Sequence, residues 1–144
     1  MKLNHINLPV KDVAATRDFL TKNFGMETVM ERGKNALAML RDEGGMVLIL
    51  SHFDKDKTAE AAYHKDFHVG FFVDTPEEVD AAHARLTRNG IDVVPPKRMQ
   101  GRYGFYLLAP GGFELEVAWL ETAAWSPSRH SPGESGRDEP ITTR

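Results

Sequence analysis

The same run of signals occurs twice in this chain, and such a repeat restricts the fold more than any other feature of the sequence. In the first half, Lys2-Leu3-Asn4-His5-Ile6-Asn7-Leu8 alternates polar and apolar residues as a half-buried strand does. A helix is expected from Val13 to Phe24, capped by Asp12 and closed by Gly25. In the second half, Phe67–Val73 is the matching strand. Thr75-Pro76-Glu77-Glu78 then opens a helix with capping-box spacing and proline at the first helical position, and Asn89-Gly90 closes it. A short β-prone run follows each helix, Met26–Met30 and Ile91–Val94. Each half ends in a hairpin, Ala36–Leu40 with Met46–Ser51 and Phe105–Leu108 with Phe113–Trp119, turning at Gly44-Gly45 and Gly111-Gly112.

The expected fold is therefore α+β, two β-α-β-β-β modules in one domain over residues 1–121. Module 1 covers 1–52, a linker 53–66 and module 2 67–121. A module of about 60 residues is marginal alone, so the two are expected to share a sheet system. Residues 122–144 turn to serine, proline, glycine and charge, and read as a flexible tail.

Composition narrows the function classes. A formal charge of -3 with no basic cluster argues against nucleic acid as a partner. No apolar run approaches the ~18 residues of a membrane span, and MKLNHINLPV is too short and polar for a signal peptide. With no cysteine there are no disulfides or thiolate metal sites, and a cytoplasmic location is the default expectation.

Strand alternation sorts the polar residues. Ile6, Leu8 and Val10 point toward a helix, with His5 and Asn7 opposite; Phe67, Val69, Phe71 and Val73 do the same, with His68, Gly70 and Phe72 opposite. In the last strand Leu115 and Val117 oppose Glu114, Glu116 and Ala118. Aligning the halves on their glycine pairs matches Ile49 with Glu116, and aligning their first strands matches His5 with His68. Of these four positions, His5, His68 and Glu116 can bind a metal and Ile49 cannot. Two imidazoles and a carboxylate with coordination positions left open suit one divalent ion, Fe(II) or Mn(II) first, with Zn or Ni as alternatives. Asn7, Ile49 and Phe72 are expected to line the substrate pocket. The other histidines read as bland: His83 at a helix boundary, His52 solvated at a strand end, His64 in the linker, His130 in the tail. Glu114 is either a support for Glu116 or a surface residue.

The opening LNHINLPVKDVAATRDFLTKNFGM resembles the first strand and helix of vicinal-oxygen-chelate modules, the glyoxalase/bleomycin-resistance/dioxygenase superfamily, and the two-module pattern covers residues 1 to about 120. The closing stretch GFYLLAPGGFELEVAW is similar to the signature near the end of extradiol ring-cleaving dioxygenases. That likeness implies Glu116 as metal ligand and Tyr106, ten residues earlier, as the catalytic group contacting substrate. Departures matter as much. Glyoxalase-I-like and epimerase-like relatives carry a fourth ligand where Ile49 stands. Extradiol enzymes carry an acid–base histidine where Gly45 and Met46 stand. Fosfomycin-resistance thiol transferases share the His, His, Glu set, but their cation-binding loop is replaced by Arg102-Tyr103-Gly104.

The resemblance implies a metal-dependent enzyme acting on a small oxygen-chelating substrate. The alternatives are a small-molecule or antibiotic binding protein without turnover, or a fosfomycin-resistance-like thiol transferase. Open sheet edges, together with the habit of family members of this length, point to a homodimer. Deleting residues 122–144 is expected to leave the melting temperature within a few degrees of the full chain, because only Trp125 and Ile141 there are large and apolar. A larger drop in a thermal melt means that the segment docks.

Overall fold

Both helices start and stop at the predicted caps. The structure, a computed structural model, describes residues 1–52 and 62–121; most of the expected linker and the whole expected tail lie outside the described residues. Helix α1 (Val13–Phe24) begins where the Asp12 carboxylate accepts from the Ala15 N–H at 2.9 Å, and ends at Gly25 with φ of 67°. Helix α2 (Pro76–Arg88) opens with a complete capping box: Thr75 Oγ1 accepts from Glu78 N–H, and the Glu78 carboxylate accepts from Thr75 N–H.

The described residues also form eight strands: β1 (His5–Pro9), β2 (Glu27–Arg32), β3 (Leu37–Arg41), β4 (Val47–Ser51), β5 (His68–Phe72), β6 (Lys97–Met99), β7 (Arg102–Leu108) and β8 (Glu114–Leu120). They form two four-stranded sheets of the same topology, β1-β4-β3-β2 and β5-β8-β7-β6. In each, the first strand runs parallel to the last and the remaining neighbours are antiparallel. The register repeats as well: Asn7 lies opposite Ile49 in the first sheet, and Gly70 opposite Glu116 in the second. The sequence alignment of the two halves is therefore the structural one.

One expected strand is displaced. Ile91–Val94 makes no ladder, and β6 forms instead at Lys97–Met99. Pro95 and Pro96 follow at once; they lack N–H donors and hold the residue before them extended, so pairing resumes only beyond them. Ile91 and Val93 still pack against the core as unpaired backbone. The first strand also starts later than expected, at His5, and Leu3 before it is exposed.

Helix α1 packs on β3 and β4, and α2 on β7 and β8. Leu8, Leu40, Leu48 and Leu50 of one half and Phe105, Leu107, Leu115 and Val117 of the other belong to a single buried cluster. Complete burial of such side chains stabilises by roughly 1.5–3 kcal/mol each. Between the halves, Phe24 meets Phe71 with ring centroids 4.7 Å apart. Buried Asn23 accepts at its carbonyl from Arg85 (2.9 Å) and at its amide oxygen from Asn89 (2.8 Å). The Tyr63 hydroxyl donates to the Pro9 carbonyl. The helix-facing sides are thus used up in a shared core, which leaves the opposite side of each sheet open.

Gly104 in β7 is held by close approach and not by its φ. A Cβ there would stand 2.3 Å from the Val117 carbonyl oxygen and 2.8 Å from the Ala118 Cβ. Gly104→Ala is expected to cost about 1–3 kcal/mol, because backbone must move to admit the methyl. An unchanged denaturant midpoint would show that the strands spread freely.

Candidate metal centre

Glu116 is 2% exposed, although it points away from the helix-facing core. A carboxylate held out of water must be compensated. Its neighbours in register are Gly70 on β5 and Tyr106 on β7. The Tyr106 hydroxyl donates to Oε1 at 2.8 Å, and Arg102 Nε lies 3.2 Å from the same oxygen. On the other side, His68 Nε2 stands 3.3 Å from Oε2. The bare backbone of Gly70 borders this contact, its absent Cβ 3.7 Å from Oε2.

His68 is oriented from behind. Its Nδ1 lies 3.2 Å from the Asp66 carbonyl, which can only accept, so Nδ1 carries the proton and Nε2 is left facing the carboxylate. A backbone carbonyl that sets the ring in this way is the usual support of a metal-binding imidazole. Two donors each ~2.1 Å from a cation, at roughly a right angle, stand about 3 Å apart. The 3.3 Å between His68 Nε2 and Glu116 Oε2 matches that span, so this pair fits a divalent ion.

Tyr106 lies edge-on to the His68 ring at 5.6 Å. Burial raises its phenol above the ordinary tyrosine range, and the bond to the Glu116 carboxylate raises it further. At neutral pH it is a proton donor. Phe105 and Leu107, on either side of it in β7, are buried in the core, as alternation requires.

Three of the remaining expected site residues lie on the other sheet. His5 is exposed on β1, its Nδ1 2.8 Å from the Asn4 side-chain oxygen. Asn7 accepts from Ser51 Oγ at 2.7 Å and is in register with Ile49, while Leu48 and Leu50 take the helix-facing side. Phe72, 45% exposed, stays with His68 on β5. The seven residues therefore divide by sheet: His5, Asn7 and Ile49 on the first, and His68, Phe72, Tyr106 and Glu116 on the second. Among the described residues no three His, Asp or Glu side chains converge. The expected meeting of His5 with His68 and Glu116 does not form within one chain, because β1 and β5 are edges of separate sheets.

Arg102 is the residue that the sequence analysis missed as part of this cluster. Its signal was present: residues 102, 104 and 106 share a face. The Asp66 carbonyl, a backbone group, had no sequence signal. Among the bland residues, His83 does sit at a boundary, edge-on to Phe105 at 5.5 Å. His52 is not solvated as expected but is partly buried, with Nδ1 3.0 Å from the Val10 carbonyl. Glu114 is exposed. A cleft of about 740 Å³ between the halves reaches His68, with Phe24, Met26, Phe67 and Phe71 among its walls.

The profile of the Glyoxalase/Bleomycin resistance protein/Dioxygenase superfamily matches residues 2–117. Fosfomycin resistance protein FosX of Listeria monocytogenes is 28% identical over 125 residues, which is 83% of this chain and 91% of that protein. Among solved structures, that of a possible glyoxalase from Bacillus cereus is 44% identical with a TM-score of 0.71, covering 81% of this chain and 97% of its own. Lactoylglutathione lyase from Agrobacterium tumefaciens, 23% identical with a TM-score of 0.66, covers 82% of this chain and 92% of its own and shares the fold.

All three tyrosines of the chain are shifted the same way: Tyr63 and Tyr106 chiefly by burial, Tyr103 chiefly by its hydrogen bond to Asp80. Native protein should therefore show no phenolate absorbance phase with a midpoint below about 10. The stabilisation linked to these phenols is complete below the unfolded value and is lost as pH rises through the folded ones. A phase below 10 in a spectrophotometric titration would contradict this environment.

Proposed function

The chain belongs to the Glyoxalase/Bleomycin resistance protein/Dioxygenase superfamily, and from that premise we propose that it is a metal-dependent enzyme that grips a small substrate through neighbouring oxygens. The observation that carries this reading is the 3.3 Å approach of His68 Nε2 to a buried Glu116 oxygen, with the far side of the ring tied to the Asp66 carbonyl. Imidazole and carboxylate together suit Fe(II) or Mn(II), with Zn or Ni as alternatives.

In this reading the third ligand is His5 of a second copy. His5 is exposed on β1 and His68 lies on β5, and both strands are sheet edges. Exposed Leu3, Ile6 and Phe72 stand along the same two edges. Joining the β1 edge of one copy to the β5 edge of another satisfies both and brings Asn7 and Ile49 over the half-site of His68, Glu116 and Tyr106. The arrangement is a homodimer with two equivalent sites.

A divalent ion bound there supplies Lewis acidity, polarising a substrate oxygen that replaces water. The side chains then divide the work. Ile49 offers no donor, so it leaves a position open to the substrate. The Tyr106 hydroxyl, a neutral donor, turns from Glu116 to a substrate oxygen. Asn7 and Phe72 wall the pocket from its two sides. The Tyr106–Glu116 pair fits a ring-cleaving signature, whereas Gly45 and Met46 provide no acid–base group.

The likeness to FosX favours a second reading of the same site, with fosfomycin as substrate. That molecule places a phosphonate beside an epoxide oxygen, a pair able to share one cation. Expression in fosfomycin-sensitive bacteria separates the two: protection that Glu116→Ala abolishes supports fosfomycin, and a catechol-induced difference spectrum without protection supports the first.

Protein purified without an affinity tag is expected to hold one divalent ion per chain and to be a dimer by light scattering. His5→Ala, His68→Ala and Glu116→Ala should each weaken binding by more than about tenfold, the loss that follows removal of even a supporting residue. Co-expressed His5→Ala and Glu116→Ala chains should regain part of the binding, since one site of each mixed dimer is intact. A monomer, or no recovery in the mixed protein, excludes the shared site; full occupancy in His68→Ala excludes the ligand assignment.

A further inference from the structure

Arg102, Gly104 and Tyr106 share one face of β7, and their partners on β8 are Leu120, Ala118 and Glu116. The middle row, Gly104 with Ala118, presents nothing larger than a methyl. Across it the Arg102 side chain reaches Glu116, with Nε 3.2 Å from Oε1. That Nε is buried and has no hydrogen-bond partner, while the side chain as a whole keeps 32% exposure. The guanidinium is near a charge, but its Nε–H makes no hydrogen bond.

Lys97 adds to the same face. It is exposed and in register with Gly104, whereas its neighbour Arg98 turns the other way, over the Tyr103 ring and onto Glu121. A divalent ion on Glu116 would compensate that carboxylate and leave Arg102 with charge to spare. Ion, Arg102 and Lys97 together outweigh the two carboxylates of this face, Glu114 and Glu116, so the pocket would carry a positive surplus beside the chelating position.

The geometry points to Arg102 as the residue that selects an oxyanion on the substrate, a carboxylate, phosphate or phosphonate group next to the chelating oxygens. A planar fork of donors suits such a group better than a lysine does. This inference rests on the metal reading above, and its test keeps the two apart. Mn(II) occupancy is measured first in every variant, and inorganic phosphate is then titrated calorimetrically into the Mn(II)-loaded protein. Arg102→Gln should bind phosphate at least about tenfold more weakly, the loss expected for one charge-assisted contact, with Mn(II) occupancy no lower than in the unsubstituted protein. Arg102→Lys, which keeps the charge, should fall between; it carries the comparison if the glutamine variant does not fold. Unchanged phosphate affinity at full occupancy overturns the assignment. So does a parallel loss of Mn(II) and phosphate, which would make Arg102 a support for Glu116. Absence of Mn(II) from the unsubstituted protein defeats the metal reading and this inference with it.

Discussion

A carboxylate placed where water barely reaches it sets the terms for the second sheet. Glu116 is 2% exposed, and the cost of desolvating a charge is several kcal/mol unless other groups compensate. The Tyr106 hydroxyl and Arg102 answer that cost on Oε1, while the bare Nε2 of His68 stands beside Oε2, where a cation would complete the compensation. With Glu116 itself, these residues come from three different strands. The register of β5, β8 and β7 must therefore be kept for Glu116 to be tolerated at all. A slip of one residue would place Leu115 or Val117 on the open face and Glu116 in the core.

The duplicated architecture explains why that face is available. Each helix covers one side of its own sheet, and the two helix-facing sides merge in a common core. With the apolar surface committed there, the opposite sides are left for chemistry, and the strands nearest the candidate ligands, β1 and β5, are left as edges. Equivalent halves then differ where it counts. Glu116 is matched by Ile49, and Gly70 by Asn7, so among the described residues the open face gathers a buried carboxylate and its partners in the second half and not in the first. The first half contributes a histidine on an open edge. In the proposed dimer, a second copy of the chain would supply what each half lacks.

The helices were legible because their signals are local. Asp12, Gly25 and the Thr75–Glu78 box act within a turn of their own backbone, and no distant contact overrides them. The misplaced strand shows the converse. Ile91–Val94 has the right residues for a strand and keeps its own N–H donors, but no strand pairs with it, and the ladder forms only past Pro95 and Pro96, which have none. Side-chain preference argued for a strand there, and the ladder formed instead at Lys97–Met99, where β7 supplies the partner.

By itself the sequence determined the two β-α-β-β-β halves, the face on which each strand residue lies and the equivalence of His5 with His68 and of Ile49 with Glu116, since alternation and repeat spacing depend only on neighbours along the chain. Only the tertiary structure decided that His68 and Glu116 meet while His5 stands apart, and that Arg102 joins the cluster across the Gly104–Ala118 row. Periodicity states which way a side chain points, but which sheets adjoin is decided by how two apolar faces close on a shared core. That closure is a property of the whole chain, and no run of its residues carries it.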